Sequence, residues 1–253
     1  MSAALIAWQE MKRVLRDPSG LLLTLALPLA LTVAIGFISG RSPLGQPPSD
    51  GFDALSYVAP GMALFAMMFS VRQAAKTTVD DADRGITRRL RSAPIGEISI
   101  AVGRTLCGVF IVAAQLLLLV GISTALYGLR WGSPLPVLLL CLALSLSAGG
   151  WATFLVSLGR TSRGVGTLGT ALTLIFAILS RSFAAVVPSA PWMDVLARIT
   201  PNHWGLHGFS ALALGGTLRS ITPDLLRLVL MSLGLWILAP LAGRLTLAGR
   251  KTP

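Results

Sequence analysis

The sequence predicts an all-α polytopic membrane protein with six transmembrane helices. Three observations carry that reading. Five uncharged apolar runs and one nearly uncharged run divide the chain, each about as long as a bilayer is thick. Hydrophobic residues make up 54% of the chain and charged residues only 12%, with a mean hydropathy of +0.75. Lys and Arg collect in alternate segments between the runs. A helix rises 1.5 Å per residue, so roughly 20 apolar residues cross a hydrocarbon core of about 30 Å. No stretch between the runs is long enough for a soluble domain.

Residues 1–20 form a basic, amphipathic start. Ala4, Leu5, Ala7, Trp8, Met11, Val14 and Leu15 share one half of a helical wheel, and Gln9, Glu10, Arg13 and Arg16 take the other. This predicts a helix lying in the membrane interface, ended by Asp17-Pro18 because a residue before proline is pushed out of the helical region. A cleavable signal peptide does not fit, since the apolar run that follows is too long and no small-x-small site comes after it. The spans are then expected at 21–39, 54–71, 105–129, 131–159, 164–183 and 221–243, the last carrying Asp224 and Arg227 in its first two turns. Between the second and third spans lies a densely charged loop at 73–97. Before the last span, residues 184–216 are apolar yet broken by Pro188, Pro191 and Pro201. The piece from Asn202, read as an N-cap, to Gly215-Gly216 is too short to span. It predicts short re-entrant or interfacial helices on the outer side, with Trp192 and Trp204 at headgroup level and Gly208 allowing close helix approach.

Basic residues are retained on the cytoplasmic side of a membrane. Of the 21 Lys and Arg, fifteen fall in the two termini, the second loop and the fourth, against five in the remaining loops and Arg227 within a run. Both termini and the 73–97 loop are therefore expected in the cytoplasm, in a cell membrane. The net charge of +11 then reports topology and attraction to anionic lipid rather than nucleic acid, because no basic patch with interleaved aromatics forms a domain.

The chemistry of an enzyme is missing. No G-x-x-x-x-G-K-[ST] loop occurs to cradle a nucleotide phosphate. His203 and His207 have the i, i+4 spacing of metal ligands but no accompanying Glu, so polar contacts are the expected role. Cys107 and Cys141 lie in separate spans and read as packing residues. Ala143, Ser147 and Gly150 are spaced to let membrane helices approach closely. No catalytic, metal-binding or cofactor-binding residue is expected in the chain. The spans offer neutral polar groups mid-membrane, Gln115, Thr153, Thr170 and Thr173, which are candidates to line a pathway; a mid-membrane ion relay is not evident. A transporter of this kind must take its energy from elsewhere.

Asp81-Ala82-Asp83-Arg84-Gly85-Ile86-Thr87-Arg88-Arg89-Leu90-Arg91-Ser92-Ala93-Pro94 resembles the first cytoplasmic loop of the type-2 ABC exporter permease family, which reads acidic-x-acidic-x-Gly-Thr, a basic stretch, then a small residue and Pro. The resemblance continues to Gly103-Arg104. Lys12-Arg13-Val14-Leu15-Arg16-Asp17-Pro18, followed by Pro28, is similar to the family's elbow helix and first span. Thr200-Pro201-Asn202-His203-Trp204-Gly205-Leu206-His207-Gly208-Phe209 is similar to its Pro-x-x-Trp-x-x-x-Gly-Phe segment. This chain departs in using Asp81 and Asp83 where Glu is usual and Ile86-Thr87 where Thr comes first. The flavour is that of the short drug-, antibiotic- or lipid-exporting permeases. The resemblance implies a permease paired with a second copy or paralogue and with two separate ABC ATPase subunits, which carry the ATP and magnesium. It also implies a coupling helix within Asp80–Glu97, so that Asp81, Asp83, Arg84, Gly85, Arg88, Arg89, Leu90, Pro94 and Glu97 form the ATPase-coupling loop, with an acidic start at the helix N-terminus and a basic end. Pro201, Trp204, Gly208 and Phe209 mark the outer segment, where Trp204 is expected to stack against lipid or substrate. A hydrophobic or amphipathic substrate follows from the family alone. A polytopic scaffold or accessory subunit, or a membrane transferase using Asp81 and Asp83, are the alternative readings.

Overall fold

The computed structural model describes residues 7–12, 30, 33–34, 54–86, 97–159, 161–182 and 191–248. Residues 7–12 are helical, and seven helices follow: α1 (Ala54–Asp83), α2 (Glu97–Tyr127), α3 (Pro134–Leu158), α4 (Ser162–Leu179), α5 (Pro191–Ala197), α6 (Pro201–Ala213) and α7 (Leu218–Ala248). Among the described residues there is no strand. Five of the helices, α1 to α4 and α7, are long and apolar enough to cross a membrane. The expected first span at 21–39 lies outside the described residues apart from Ala30, Val33 and Ala34.

Two helices run further than their apolar runs. α1 continues past Val71 through Arg72, Lys76 and Asp80 to Asp83, and α2 begins at Glu97, ahead of Thr105. A bilayer sets the length of the apolar run but not the end of the helix. Residues 72–83 contain no glycine or proline to stop the helix and satisfy their backbone within it, so the ladder goes on into water. The loop expected at 73–97 is therefore helical at both ends. α4 has a side-chain N-cap, Thr161 accepting from the Gly164 N–H, and opens two residues earlier than the apolar run.

α1 and α3 are the central helices. α3 packs most extensively on α7, and α1 on α4, with α2 laid against both central helices. The α3–α7 contact is close because it is made at glycine. A Cβ at Gly150 would come within 3.1 Å of the Ser232 carbonyl oxygen and 3.3 Å of Leu235 Cβ, and Ser232 Oγ donates to the Leu146 carbonyl at 3.0 Å. Gly149 faces Val109 and Thr105 of α2. Small residues replace hydrophobic driving force as the source of tight helix packing in lipid. At the far end of α4 the chain leaves through Arg181, at φ 58°, and the Ser182 carbonyl is pressed onto α1 at Gly61, where any Cβ would run into it.

The helices farthest from the centre present bare hydrocarbon. Phe110 on α2, Ile178 on α4 and Leu230, Ile237 and Leu241 on α7 are all at least half exposed. Such a surface is stable only against lipid or another apolar chain. α5 and α6 are too short to cross, and α6 is wedged among α1, α3 and α7.

Gly61→Ala should lower the melting midpoint of the purified protein by the equivalent of about 1–3 kcal/mol, because overpacking a backbone contact forces the helices apart. Gly121→Ala, a helical glycine with nothing within 4 Å of the added Cβ, should be neutral or stabilising. Equal loss in both variants would contradict the close α1–α4 approach.

Candidate functional site

Charge is concentrated at the two opposite ends of the bundle. At the first end, α1 finishes with Asp80, Asp81 and Asp83. These acids close a helix, whereas the sequence reading placed them at the start of one; the Arg84 N–H bonds the Asp80 carbonyl, the Gly85 N–H bonds the Ala82 carbonyl, and Gly85 exits at φ 73°. Carboxylates at a helix C-terminus meet the negative end of the dipole and need cations. Asp81, 1% exposed, receives a charge-assisted hydrogen bond from Arg104 Nη2 of α2 at 2.8 Å. The Glu10 carboxylate lies 3.3 Å from Arg104 Nε as an ion pair, without the alignment of a hydrogen bond. Neighbouring residues on a helix point about 100° apart, and Asp80 accordingly faces other partners: Lys76 Nζ at 3.4 Å and the Ser162 hydroxyl at the start of α4. The last turn of α1 thus ties together the 7–12 helix, α2 and α4.

Of the residues expected in the coupling loop, Asp81 is buried in this junction, while Asp83 and Arg84 are exposed beside it and Gly85 makes the turn. Arg88, Arg89, Leu90 and Pro94 lie outside the described residues. Glu97 opens α2. On the 7–12 helix Trp8 is 55% exposed, with Lys12 Nζ 5.2 Å from its ring centroid, as an interfacial aromatic with a snorkelling lysine would be.

The second end carries a clasp that the sequence did not reveal. Asp224, in the second turn of α7, is 1% exposed, and its Oδ2 lies 2.8 Å from His207 Nδ1 on α6. Arg227 Nη1 stands 3.6 Å from Asp224 Oδ1 and places its guanidinium 4.2 Å from the centre of the Trp204 ring on α6. Trp204 Nε1 in turn donates to the Arg198 carbonyl at 2.8 Å, and His203 meets the ring edge-on. α6 and α7 are therefore cross-linked twice, by an imidazole–carboxylate hydrogen bond and a cation–π contact. Trp204, expected to stack against lipid or substrate, has one face occupied by Arg227, and its N–H is used within the chain. Trp192 on α5 is 61% exposed and free to meet the headgroups.

Thr200, not Asn202, caps α6. Its hydroxyl accepts from the His203 N–H and donates to the Ala197 carbonyl, and Pro201 takes the first turn, where a missing N–H costs nothing. Gly205 fits against Leu64 and Leu144, Gly208 against Leu140, and Phe209, fully buried, meets Trp131 edge-on at 5.6 Å.

The four expected lining residues each have a hydrogen bond within the bundle. Gln115 is buried, its Oε1 accepting from Ser70 Oγ at 2.6 Å between α2 and α1. Thr153 and Thr170 donate to Gly149 and Gly166 on their own helices. Thr173 bonds Gly169 at 2.8 Å and approaches the Met68 carbonyl of α1 at 3.4 Å. The two cysteines are free and buried apart.

These features define a multi-pass helical membrane protein with a short helical hairpin held inside one end and an ionic junction at the other. The chain matches the family model for the ABC-2 type transporter over residues 2–214. It belongs to that family, whose permeases work with ABC ATPase partners. It is also similar to the linearmycin resistance permease protein LnrN of Bacillus subtilis (strain 168), at 22% identity over 158 residues, covering 62% of this chain and 41% of that protein. The match thus spans less than half the length of that relative.

Removing one partner of a buried ion pair leaves the other charge stranded. Asp81→Asn and Arg104→Gln should each cost roughly 3 kcal/mol of stability, while the double variant should cost clearly less than the sum. Additive losses in thermal melts would show that the two side chains do not interact.

Proposed function

We propose that this chain is the permease subunit of an ATP-driven exporter in the cell membrane, with both termini in the cytoplasm. It would form the membrane pathway for a hydrophobic or amphipathic molecule, a drug, antibiotic or lipid, with a second copy or a paralogue completing the membrane part. ATP binding and hydrolysis, with magnesium, belong to two separate ABC ATPase subunits, and this chain supplies no catalytic residue.

The observation that carries this reading is the junction at the end of α1. A push on the exposed turn at Asp83–Gly85 acts on a helix end bonded to α2 through Arg104, to α4 through Ser162 and, through Arg104, to the 7–12 helix beside Glu10. A soluble motor docked there needs only one contact to move several spans. The family relationship supports the ATPase as that motor, and the resistance permease relative supports an antibiotic as cargo. The excess of Lys and Arg on this side supports its cytoplasmic placement.

Reversing Arg84, Arg88 and Arg89 to Glu together should abolish co-purification of the ATPase and cut substrate-stimulated ATP hydrolysis at least tenfold. The permease should stay folded, since Arg84 is exposed and charge changes at the surface usually alter stability by only about 0.5 kcal/mol. Undiminished co-purification and hydrolysis would show that these arginines do not dock the motor.

A further inference from the structure

The hydroxyls within the bundle are almost all spoken for: Ser145, Thr153, Thr170, Thr173 and Ser180 each donate to a carbonyl one turn back on their own helix. Asn202 and Ser147 break the pattern. Both are 0% exposed, and neither Asn202 Oδ1, Asn202 Nδ2 nor Ser147 Oγ has a hydrogen-bond partner. Leaving such groups unpaired costs about 1–3 kcal/mol each, and the large majority of buried side-chain polar atoms in folded proteins have a partner.

The register of the helices brings the two together. Gly208 of α6 lies against Leu140 of α3, and one turn deeper Gly205 lies against Leu144. Extending this register by one more turn on both helices puts Asn202 level with Ser147, near the middle of α3. A further turn along α3 lies Trp151, buried, with its indole N–H also unpaired. On the facing wall, Gly205 touches Leu64 of α1, and the following turn of α1 presents the buried Met67 and Met68. Met68 is also where Thr173 of α4 approaches α1. The N-terminus of α6, with Thr200 and Asn202 buried, therefore ends in the interior of the bundle, its positive dipole end beside an unsatisfied amide. Broken helices whose ends stop near the membrane midplane are a recurrent way of presenting polar backbone and side chains to a transported molecule. Methionine gives the apolar wall an adaptable surface.

We propose that Asn202, Ser147 and Trp151 form the contact site for a neutral hydrogen-bonding group, a carboxamide or hydroxyl, on the amphipathic molecule that the permease moves. The amide and hydroxyl offer both donors and acceptors, and the indole adds a donor. α3 itself carries no charged side chain, so the groups it offers to the site are neutral donors and acceptors. In the present conformation the site is closed. Opening it requires α6, fastened to α7 by His207 and Arg227, to move relative to α3. This inference rests on the permease reading of the chain, but it does not depend on the ATPase.

The test uses the full chain in lipid nanodiscs, with oleamide as a neutral carboxamide probe and 1-octadecene as a chain of similar length without a polar head. Oleamide, but not 1-octadecene, should raise the melting midpoint of the wild-type protein in a saturable manner. Asn202→Leu replaces the amide by an apolar side chain of similar volume. It should melt at or above the wild-type midpoint without ligand, and it should bind oleamide at least tenfold more weakly. Ser147→Ala should weaken oleamide binding in the same direction. The proposal is overturned if wild type shows no oleamide-specific shift, or if either variant binds oleamide as wild type does. It is equally overturned if Asn202→Leu melts lower or fails to accumulate, since the amide would then have a structural partner. None of these outcomes bears on ATPase docking, which is read out separately by co-purification.

Discussion

Lipid cannot hydrate a charge, and that constraint organises the structure. Each carboxylate that the bundle buries is met by a polar side chain from another helix. Asp81 is met by the guanidinium of Arg104, and Asp224 by the imidazole of His207, with Arg227 of its own helix close by. Both pairs sit near helix ends, where the long cationic side chains can keep part of themselves toward water. Because each pair joins two helices, the same requirement that satisfies the charges also ties the bundle together at its two ends. Between the ends, glycine and serine contacts of α3 with α2 and α7 do the packing.

The two ionic joints have different mechanical consequences. The α1 junction gathers three other segments onto one exposed turn. The α6–α7 clasp links a short buried helix to a single long one. Motion entering at Asp83–Gly85 therefore has a packed route through α1, α3 and α7 to the clasp, and the clasp determines that α6 follows α7. Breaking the pairing at Asp224 should loosen the α6–α7 contact without disturbing the junction around Asp81.

The apolar runs were legible in the sequence because bilayer thickness fixes their length, and five of the six coincide with helices. Helix ends were not legible in the same way. Residues 72–83 are polar enough to leave the membrane yet contain nothing to stop a helix, so hydropathy placed the end of α1 a dozen residues too early. The reversed role of Asp80 and Asp81 follows from that error. Pairings between distant helices left no local trace: His207 and Asp224 are 17 residues apart, and Arg104 and Asp81 are 23 apart. Thr153 and Thr170 attracted notice as polar groups inside spans, but the i−4 carbonyl is always available to a threonine on a helix. Asn202 was read as an N-cap, although the preceding Thr-Pro is the stronger signature, with threonine as cap and proline in the first turn. Reading it so would have left the amide without a partner and pointed to the interior.

The account stands on the two charged ends facing opposite sides of the membrane, with the Asp83 end in the cytoplasm. Single cysteines at Asp83 and at Gly215, both exposed, test this directly against the buried background of Cys107 and Cys141. In intact cells a membrane-impermeant maleimide should label the cysteine at 215 and leave the one at 83 unlabelled until the membrane is permeabilised. Labelling at 83 from outside, or at both positions from the same side, would contradict the arrangement and with it the docking of a cytoplasmic motor on the end of α1.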